Sequence, residues 1–320
     1  MAKDLSKILK EKVERLESVP QNFLDSVEKQ ELSIYKELLK SFDKLERNND
    51  GFILLNNKNI DLMTEINDNI VKIVRTSDYE SLVNDFIKEF DTQIDLNNVY
   101  FEGITESSLV VPKESIKLVE LYKQSAFNDL YSKNALMSSF AKPINEILRK
   151  TVTSEGSFVE MAEDIRNIVV GDKNKLGKLR SYAGQIAWDT WITSERAYTK
   201  QVSDANDIEW FRYAGGLVED SRVFCVHRSN KYYHKKEIEM WGKNKEWSES
   251  KQKFVTIKNW PEKIEGTNEQ NIFTNVAGWN CKHSLVPVSI LSVPKSDIER
   301  AIDMGFVKLS KKQKESLKIT

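Results

Sequence analysis

The chain has 320 residues, of which 30% are charged and 40% hydrophobic, and its formal net charge is -1. This is the composition of an ordinary soluble protein and gives no overall attraction for a polyanion. No apolar run reaches the ~18 residues of a membrane helix, and the charged N-terminal segment lacks the apolar centre of a secretory signal. We therefore expect the protein to be made in a cytoplasm. Two cysteines are too few for a disulfide scaffold, so in that reducing compartment we expect either a metal site or free thiols.

Residues 1–173 show the periodicity of amphipathic helices. One apolar stripe begins at Leu5, and we expect its helix to end at Pro20 because proline lacks the N–H that a helix interior needs. A second stripe runs from Phe23 to Leu45. Further helices are predicted after Ser77 or Asp78, after Pro112, over 143–150 and from Phe158 to Val169. The sequence therefore predicts a helical N-terminal region.

Residues 174–205 predict a long connecting helix that is more apolar than the earlier ones. The next segment, 206–293, contains short aromatic runs broken by turn residues, which predicts a small α+β module. Its expected strands are "IEWFRYAG", "RVFCVH", "KYY", "KFVTIKNW" and "HSLVPVSIL", with a short helix in "KKEIEMW". Pro287 places the last strand at a sheet edge. Residues 294–320 predict a helix capped by Ser296 and a basic tail. The predicted fold class is a mainly α N-terminal region followed by a small α+β module.

Each cysteine is followed two positions later by a histidine, in the pairs Cys225/His227 and Cys281/His283. On an extended strand, residues i and i+2 point to the same face. Two such pairs brought together would supply the two thiolates and two imidazoles that suit tetrahedral zinc. His234 is close enough in the chain to replace His227.

Two other interpretations of the cysteines stay open. Cys225 lies in an apolar run between Phe224 and Val226, which is also typical of a packed, unreactive thiol. A disulfide formed after cell lysis is the third alternative. A catalytic cysteine is disfavoured, because no aspartate or asparagine is recognisably placed to complete a triad.

The module is locally basic. Between Asp220 and Trp260 there are ten Lys or Arg residues and five Asp or Glu residues. Such a face, interleaved with aromatic rings, could contact nucleic acid, although core packing explains the rings equally well. The candidate DNA-facing residues are Arg228, Lys231, Lys235 and Lys236. Asp220 and Arg222 could form an ion pair across a turn or remain a solvated loop pair.

Four sequence elements, in this order, carry a family resemblance: "TSERA" at 193–197, "DSRVFC", "HKKEIEMW" and "GWNCKHSLVPV". Together they resemble the head-morphogenesis domain of the Mu F-like minor head proteins of tailed bacteriophages, over roughly residues 175–290. The positions that match the family's motifs are Asp220, Arg222, Cys225, Gly278, Trp279, Asn280, Cys281, His283 and Pro287. Lys282 stands where arginine is more usual, and "SNK" at 229–231 replaces the common "NGK".

The resemblance implies a structural virion protein. The residues themselves show no convincing catalytic constellation, so no enzymatic activity is expected. The expected partner of such a protein is the phage portal protein, with the major capsid protein and packaged DNA as further candidates. It would lie in the head near the portal vertex, after assembly in the host cytoplasm, and support head assembly, DNA packaging or DNA ejection. The alternative is a metal-dependent nuclease or toxin-like effector carried in the virion.

Overall fold

The structure is a computed structural model that describes residues 4–105, 108–219, 221–260, 263–278, 281–317 and 319. Most of the chain is helical, and two small antiparallel sheets lie in its C-terminal part. The predicted fold class is confirmed. The chain divides into two compact units. One, here the helical unit, contains Ser18–Phe90 and Tyr122–Thr190, and the other, here the mixed unit, contains Met1–Glu17, Asp91–Leu121 and Trp191–Thr320.

The α-helices are α1 (Leu5–Phe42), α2 (Asn57–Thr76), α3 (Tyr79–Ile104), α4 (Lys113–Tyr131), α5 (Lys133–Leu136), α6 (Lys142–Thr153), α7 (Phe158–Val169), α8 (Lys178–Ala205), α9 (Val223–Arg228), α10 (Lys235–Gly242), α11 (Ile272–Asn275), α12 (Lys295–Asp303) and α13 (Lys311–Leu317). A π-helical turn, Met137–Ala141, joins α5 to α6, and a 3₁₀ turn covers Ile290–Ser292. None of the described helices combines the length and the apolar character that a membrane span requires.

The helical unit buries one apolar face of each helix. In α1 the buried face includes Val27, Ile34, Leu38 and Phe42, which follow helical spacing. In α7 the side-chain oxygen of Ser157 accepts a hydrogen bond from the Glu160 N–H at the helix start. The buried face of α7, which includes Phe158, Met161, Ile165 and Val169, is the one that the sequence predicts.

Helix α1 continues through Pro20, so the prediction that the first helix ends there is wrong. Proline inside a helix costs about 3 kcal/mol through its missing N–H and the clash of its ring with the preceding turn. The side chains on either side, Leu16, Val19 and Phe23, are all buried. Burying each of them stabilises the helix by about 1.5–3 kcal/mol, which outweighs the cost of the proline.

The mixed unit contains a three-stranded antiparallel sheet in the order β2–β1–β5, formed by β1 (Trp210–Ala214), β2 (Tyr232–His234) and β5 (Ser284–Pro287). Strands β3 (Lys245–Ser248) and β4 (Lys253–Thr256) form a separate hairpin. Pro287 pairs with Phe211 on the edge strand β5, as predicted. Phe211 and Leu285 belong to the apolar core of the module, together with Phe224 and Trp241.

Two local predictions in this unit are wrong. The run "RVFCVH" forms helix α9 and not a strand. The Arg222 carbonyl accepts hydrogen bonds from the N–H groups of Cys225 and Val226. Phe224, Cys225 and Arg228 are buried on this helix, so tertiary packing overrides the β-propensity of valine and phenylalanine. In α12, Pro294 and not Ser296 occupies the N-cap position.

Candidate metal centre

Cys225, Cys281 and His283 converge in the interior of the mixed unit. One candidate ligand atom from each residue lies within 4.8 Å of the others, and all three residues are buried. The Cys281 Sγ atom lies 3.7 Å from Nδ1 of His283. Two sulfur atoms and an imidazole nitrogen are ligands that transition metals bind well. This group could therefore hold a metal ion.

The sheet fixes the position of His283. Strand β5 pairs with β1 so that Ser284 lies opposite Ala214. The residue that follows β1, Gly215, therefore lies against His283. Gly215 has φ +142°, and a Cβ atom there would lie 2.9 Å from Cα and Cδ2 of His283. Only glycine allows this approach without displacing the imidazole.

Arg196, on helix α8, holds the segment that carries the other ligands. Its guanidinium group donates hydrogen bonds to the carbonyl oxygens of Cys281 (2.5 Å), His283 (2.5 Å) and Thr274 (3.1 Å). Arg196 is 6% exposed, so these bonds lie in a medium of low dielectric, where they are stronger than in water. A buried guanidinium group thereby fixes the backbone around both "NCKH" ligands.

Aromatic rings enclose the group. The phenol of Tyr213 donates a hydrogen bond to Cys225 Sγ at 3.4 Å and lies 4.0 Å from Cys281 Sγ. Its ring centroid lies 5.0 Å from that of His283, and the rings of Phe224 and Trp241 pack edge-on against Tyr213. The three candidate ligands therefore lie inside a packed aromatic shell and not at a surface.

The two sulfur atoms differ in their electrostatics. The Cys225 thiol beside Cys281, together with His283 and Arg196, holds the pKa of Cys281 well below its usual value despite the burial. The same contact with Cys281, together with burial, raises the pKa of Cys225. One sulfur is thus stabilised as a thiolate and the other as its hydrogen-bond donor. A thiolate is the form that binds a metal.

His227 does not belong to the group, which corrects the expected four-ligand set. Residues i and i+2 of a helix point in different directions, so with Cys225 buried on α9, His227 is exposed to solvent. His234, the alternative ligand, is buried, but its Nδ1 accepts a hydrogen bond from the Lys236 N–H. Its ring packs edge-on against Trp210.

Three of the other positions that match the family's motifs, Asp220, Trp279 and Asn280, lie outside the described residues. The predicted ion pair of Asp220 with Arg222 therefore lies outside them as well. Arg222 begins helix α9, and Gly278 has a positive φ of 109°. The Pro287 carbonyl accepts a hydrogen bond of 2.8 Å from the hydroxyl of Tyr100, so this position ties strand β5 to helix α3.

Only part of the predicted basic face reaches solvent. Lys231 and Lys236 are exposed, whereas Lys235 is half-buried and pairs with Asp204 at 2.7 Å. Arg228 is buried, stacks on Phe224 with its guanidinium carbon 3.7 Å from the ring centroid, and bonds Glu246 at 2.7 Å. Arg228 is therefore a core residue, and its assignment as DNA-facing is corrected.

Comparison with protein-family models, with curated proteins and with solved structures finds no match to the chain. The site is consequently defined by its own geometry. Two residues that build it, Tyr213 and Gly215, carry no recognisable sequence motif. Arg196 lies within "TSERA", one of the elements of the resemblance, although the sequence alone gives it no role.

Proposed function

We propose that the protein is a structural minor head protein of a tailed bacteriophage, of the Mu F-like kind, that associates with the portal protein in the head. The resemblance described above motivates the proposal. The major capsid protein and packaged DNA are secondary partners in it. The protein would be made in the host cytoplasm and incorporated into the virion near the portal vertex.

One observation supports this proposal most directly. Three of the four elements that carry the resemblance are far apart in the chain but meet at one point in the fold. Arg196 of "TSERA" bonds the backbone of Cys281 and His283 in "NCKH", and Cys225 of "RVFC" lies beside both of these residues. Residues that serve one structural purpose together are a more specific pattern than separate short motifs.

Within this function, we infer that Cys225, Cys281 and His283 hold a structural zinc ion. It would join helix α9 to the segment before β5, across some fifty residues of chain. A cross-link over a long loop removes much of the conformational freedom of the unfolded chain, and structural zinc contributes directly to folding. The module would then be a rigid anchor for the helices that contact other virion proteins.

Zinc content tests this proposed link between helix α9 and the segment before β5, here called the zinc clamp. Protein purified without oxygen should contain about one zinc per chain, because structural zinc binds tightly enough to survive purification. Cys281→Ser should lose the metal and lower the melting temperature, whereas His227→Ala, at the exposed histidine of α9, should change neither. Less than about 0.2 zinc per chain in the unmodified protein would eliminate the clamp.

Composition of particles tests the virion assignment. Tailed particles released by the source culture should contain this chain in the head fraction, together with the portal protein. Quantitative mass spectrometry of heads separated from tails measures this. Absence from purified heads would reject the assignment, and it would leave the zinc measurement unaffected.

A nuclease activity is the alternative outcome. The three candidate ligand residues are buried among the described aromatic side chains, which disfavours the approach of a phosphodiester. None of the three is a carboxylate that could act as a general base. We therefore expect no cleavage of plasmid or RNA in the presence of Mg²⁺, Mn²⁺ or Zn²⁺. Cleavage that His283→Ala abolishes would replace the structural function with an enzymatic one.

A further inference from the structure

A phenol oxygen lies beside both sulfur atoms of the candidate metal centre. The Tyr213 hydroxyl is 3.4 Å from Cys225 Sγ and 4.0 Å from Cys281 Sγ. In a tetrahedral zinc site, with Zn–S bonds of about 2.3 Å and Zn–O or Zn–N bonds of about 2.0–2.2 Å, neighbouring ligand atoms are about 3.5 Å apart. The oxygen therefore lies at the separation expected between ligands from Cys225 Sγ and about 0.5 Å beyond it from Cys281 Sγ.

One further distance agrees with this spacing. Cys281 Sγ lies 3.7 Å from His283 Nδ1, close to the same value. The three candidate ligand atoms from Cys225, Cys281 and His283 lie within 4.8 Å of one another, so a bound ion would have to draw some of them closer together. A closed structural zinc site has four protein ligands. Among the described residues three candidate ligands converge and His227 is exposed, so a fourth ligand would come from the other side chains around the sulfur atoms.

We propose that Tyr213, through its phenol oxygen, is the fourth ligand, and that the site is a Cys₂–His–Tyr centre. This inference rests on the proposed zinc clamp and deepens it. Strand β1 delivers the phenol: Tyr213 is fully buried, and its ring is fixed between His283 and Trp241. The oxygen needs to move only a few tenths of an ångström to give equal distances to both sulfurs.

A phenol binds a metal ion as the phenolate, as a thiol does as the thiolate. Two thiolates and a phenolate would exceed the charge of a divalent metal by one, and the buried Arg196 guanidinium, which bonds the carbonyl oxygens of Cys281 and His283, lies close enough to offset this excess. Binding the metal would therefore release the phenol proton to solvent.

Proton release distinguishes a ligand from a hydrogen-bond donor. Zinc binding to the metal-free full chain, measured by calorimetry in buffers of different ionisation enthalpy, counts the protons released. Tyr213→Phe should release about one proton fewer than the unmodified protein and bind zinc at least about 10-fold more weakly. The matched control is Tyr100→Phe, which removes another buried phenol of the same unit, the one bonded to the Pro287 carbonyl. It should leave both quantities unchanged.

A second measurement does not depend on a folded variant. Zinc added to the unmodified metal-free protein near neutral pH should produce the ultraviolet difference absorption of tyrosinate. Equal affinity and equal proton release in Tyr213→Phe, or no tyrosinate signal in the unmodified protein, would overturn the assignment of Tyr213 while leaving the zinc clamp in place. No zinc binding by the unmodified protein would instead reject the clamp itself.

Discussion

The helical unit and the mixed unit are stabilised in different ways. In the helical unit most of the interior is formed by apolar stripes, such as that of α1, and many equivalent contacts share the burial. Few polar side chains are buried there, among them Glu31 and Asn59. In the mixed unit, charged and polar side chains lie inside the core, among them Arg196, Arg228 and Glu237. Each makes specific bonds that no neighbour can replace. Substitutions should therefore have graded effects in the helical unit and large, site-specific effects in the mixed unit.

Substitution of Arg196 should lower the free energy of unfolding more than any other change considered below. Arg196→Met keeps most of the side-chain volume but leaves the carbonyl oxygens of Cys281, His283 and Thr274 without their buried donor. Leaving a buried acceptor without its donor costs about 1–3 kcal/mol, and three carbonyl groups are affected, so we expect a loss of at least about 3 kcal/mol in urea unfolding. The control Arg149→Met, at an exposed position of α6, should change stability by less than about 0.5 kcal/mol. A loss below about 1 kcal/mol for Arg196→Met would remove the contrast between the units.

The buried ion pair of Lys12 and Glu195 gives a second test of the difference between the two units. Both residues lie on helices of the mixed unit. The Lys12 Nζ atom is 2.9 Å from Glu195 Oε1, and both side chains are almost fully buried. Lys12→Met should cost about 3 kcal/mol by leaving the carboxylate unpaired. The double variant Lys12→Met/Glu195→Gln should recover part of this loss, because it removes the stranded charge. If the two substitutions are additive in denaturant unfolding, the pair is not coupled.

Titration of Glu237, a residue of the mixed unit, should make the stability of the protein depend on pH. Burial raises the pKa of Glu237 to about 7 from its usual 4.5, although Arg300 beside it acts in the opposite direction. Arg228 also lowers this pKa and Asp297 raises it. Because the folded state holds the proton more tightly, the stabilising contribution is complete below pH 4.5 and is lost as the pH rises through 7.

Glu237→Gln, which cannot ionise, should lack this loss. Between pH 5 and pH 8 the unmodified protein should therefore lose on the order of 2 kcal/mol more stability than the variant. Urea unfolding at the two pH values measures the difference. Glu239→Gln, which removes a half-buried carboxylate of the same helix α10, should retain the pH dependence of the unmodified protein. Equal slopes for Glu237→Gln and the unmodified protein would show that another group is responsible.

The two units also differ in what their sequences predict. Helices α3, α4, α6, α7 and α8 follow from apolar spacing and caps, such as Ser157 before α7, because those signals are local. Helix α2, which Asn56 caps, is not among the predicted helices. In the mixed unit, tertiary packing overrides the local β-propensity of "RVFCVH", which forms helix α9. The predicted set of four ligands assumed a strand there and therefore wrongly included His227. The convergence of Cys225 with Cys281 and His283 agrees with the predicted meeting of the two motifs. Tyr213, Gly215 and Arg196 could not be assigned to the site, because their contacts depend on strand pairing and on α8, which are set by tertiary structure.

Pro20 gives the smallest predicted effect and the only stabilising one. It lies within α1, in the helical unit, and is buried. Pro20→Ala restores a backbone N–H and removes the ring clash, a gain of about 3 kcal/mol, but it also deletes two buried methylene groups worth about 1.6 kcal/mol. The net expectation is a stabilisation of about 1 kcal/mol, seen as a higher melting temperature. Val19→Ala, at the neighbouring buried position, should destabilise instead, since it removes apolar contact without restoring a hydrogen bond. A lower melting temperature for Pro20→Ala would mean that packing of the proline ring stabilises the protein by more than the proline costs the helix. A single position of the helical unit would then have as large an individual effect as positions of the mixed unit.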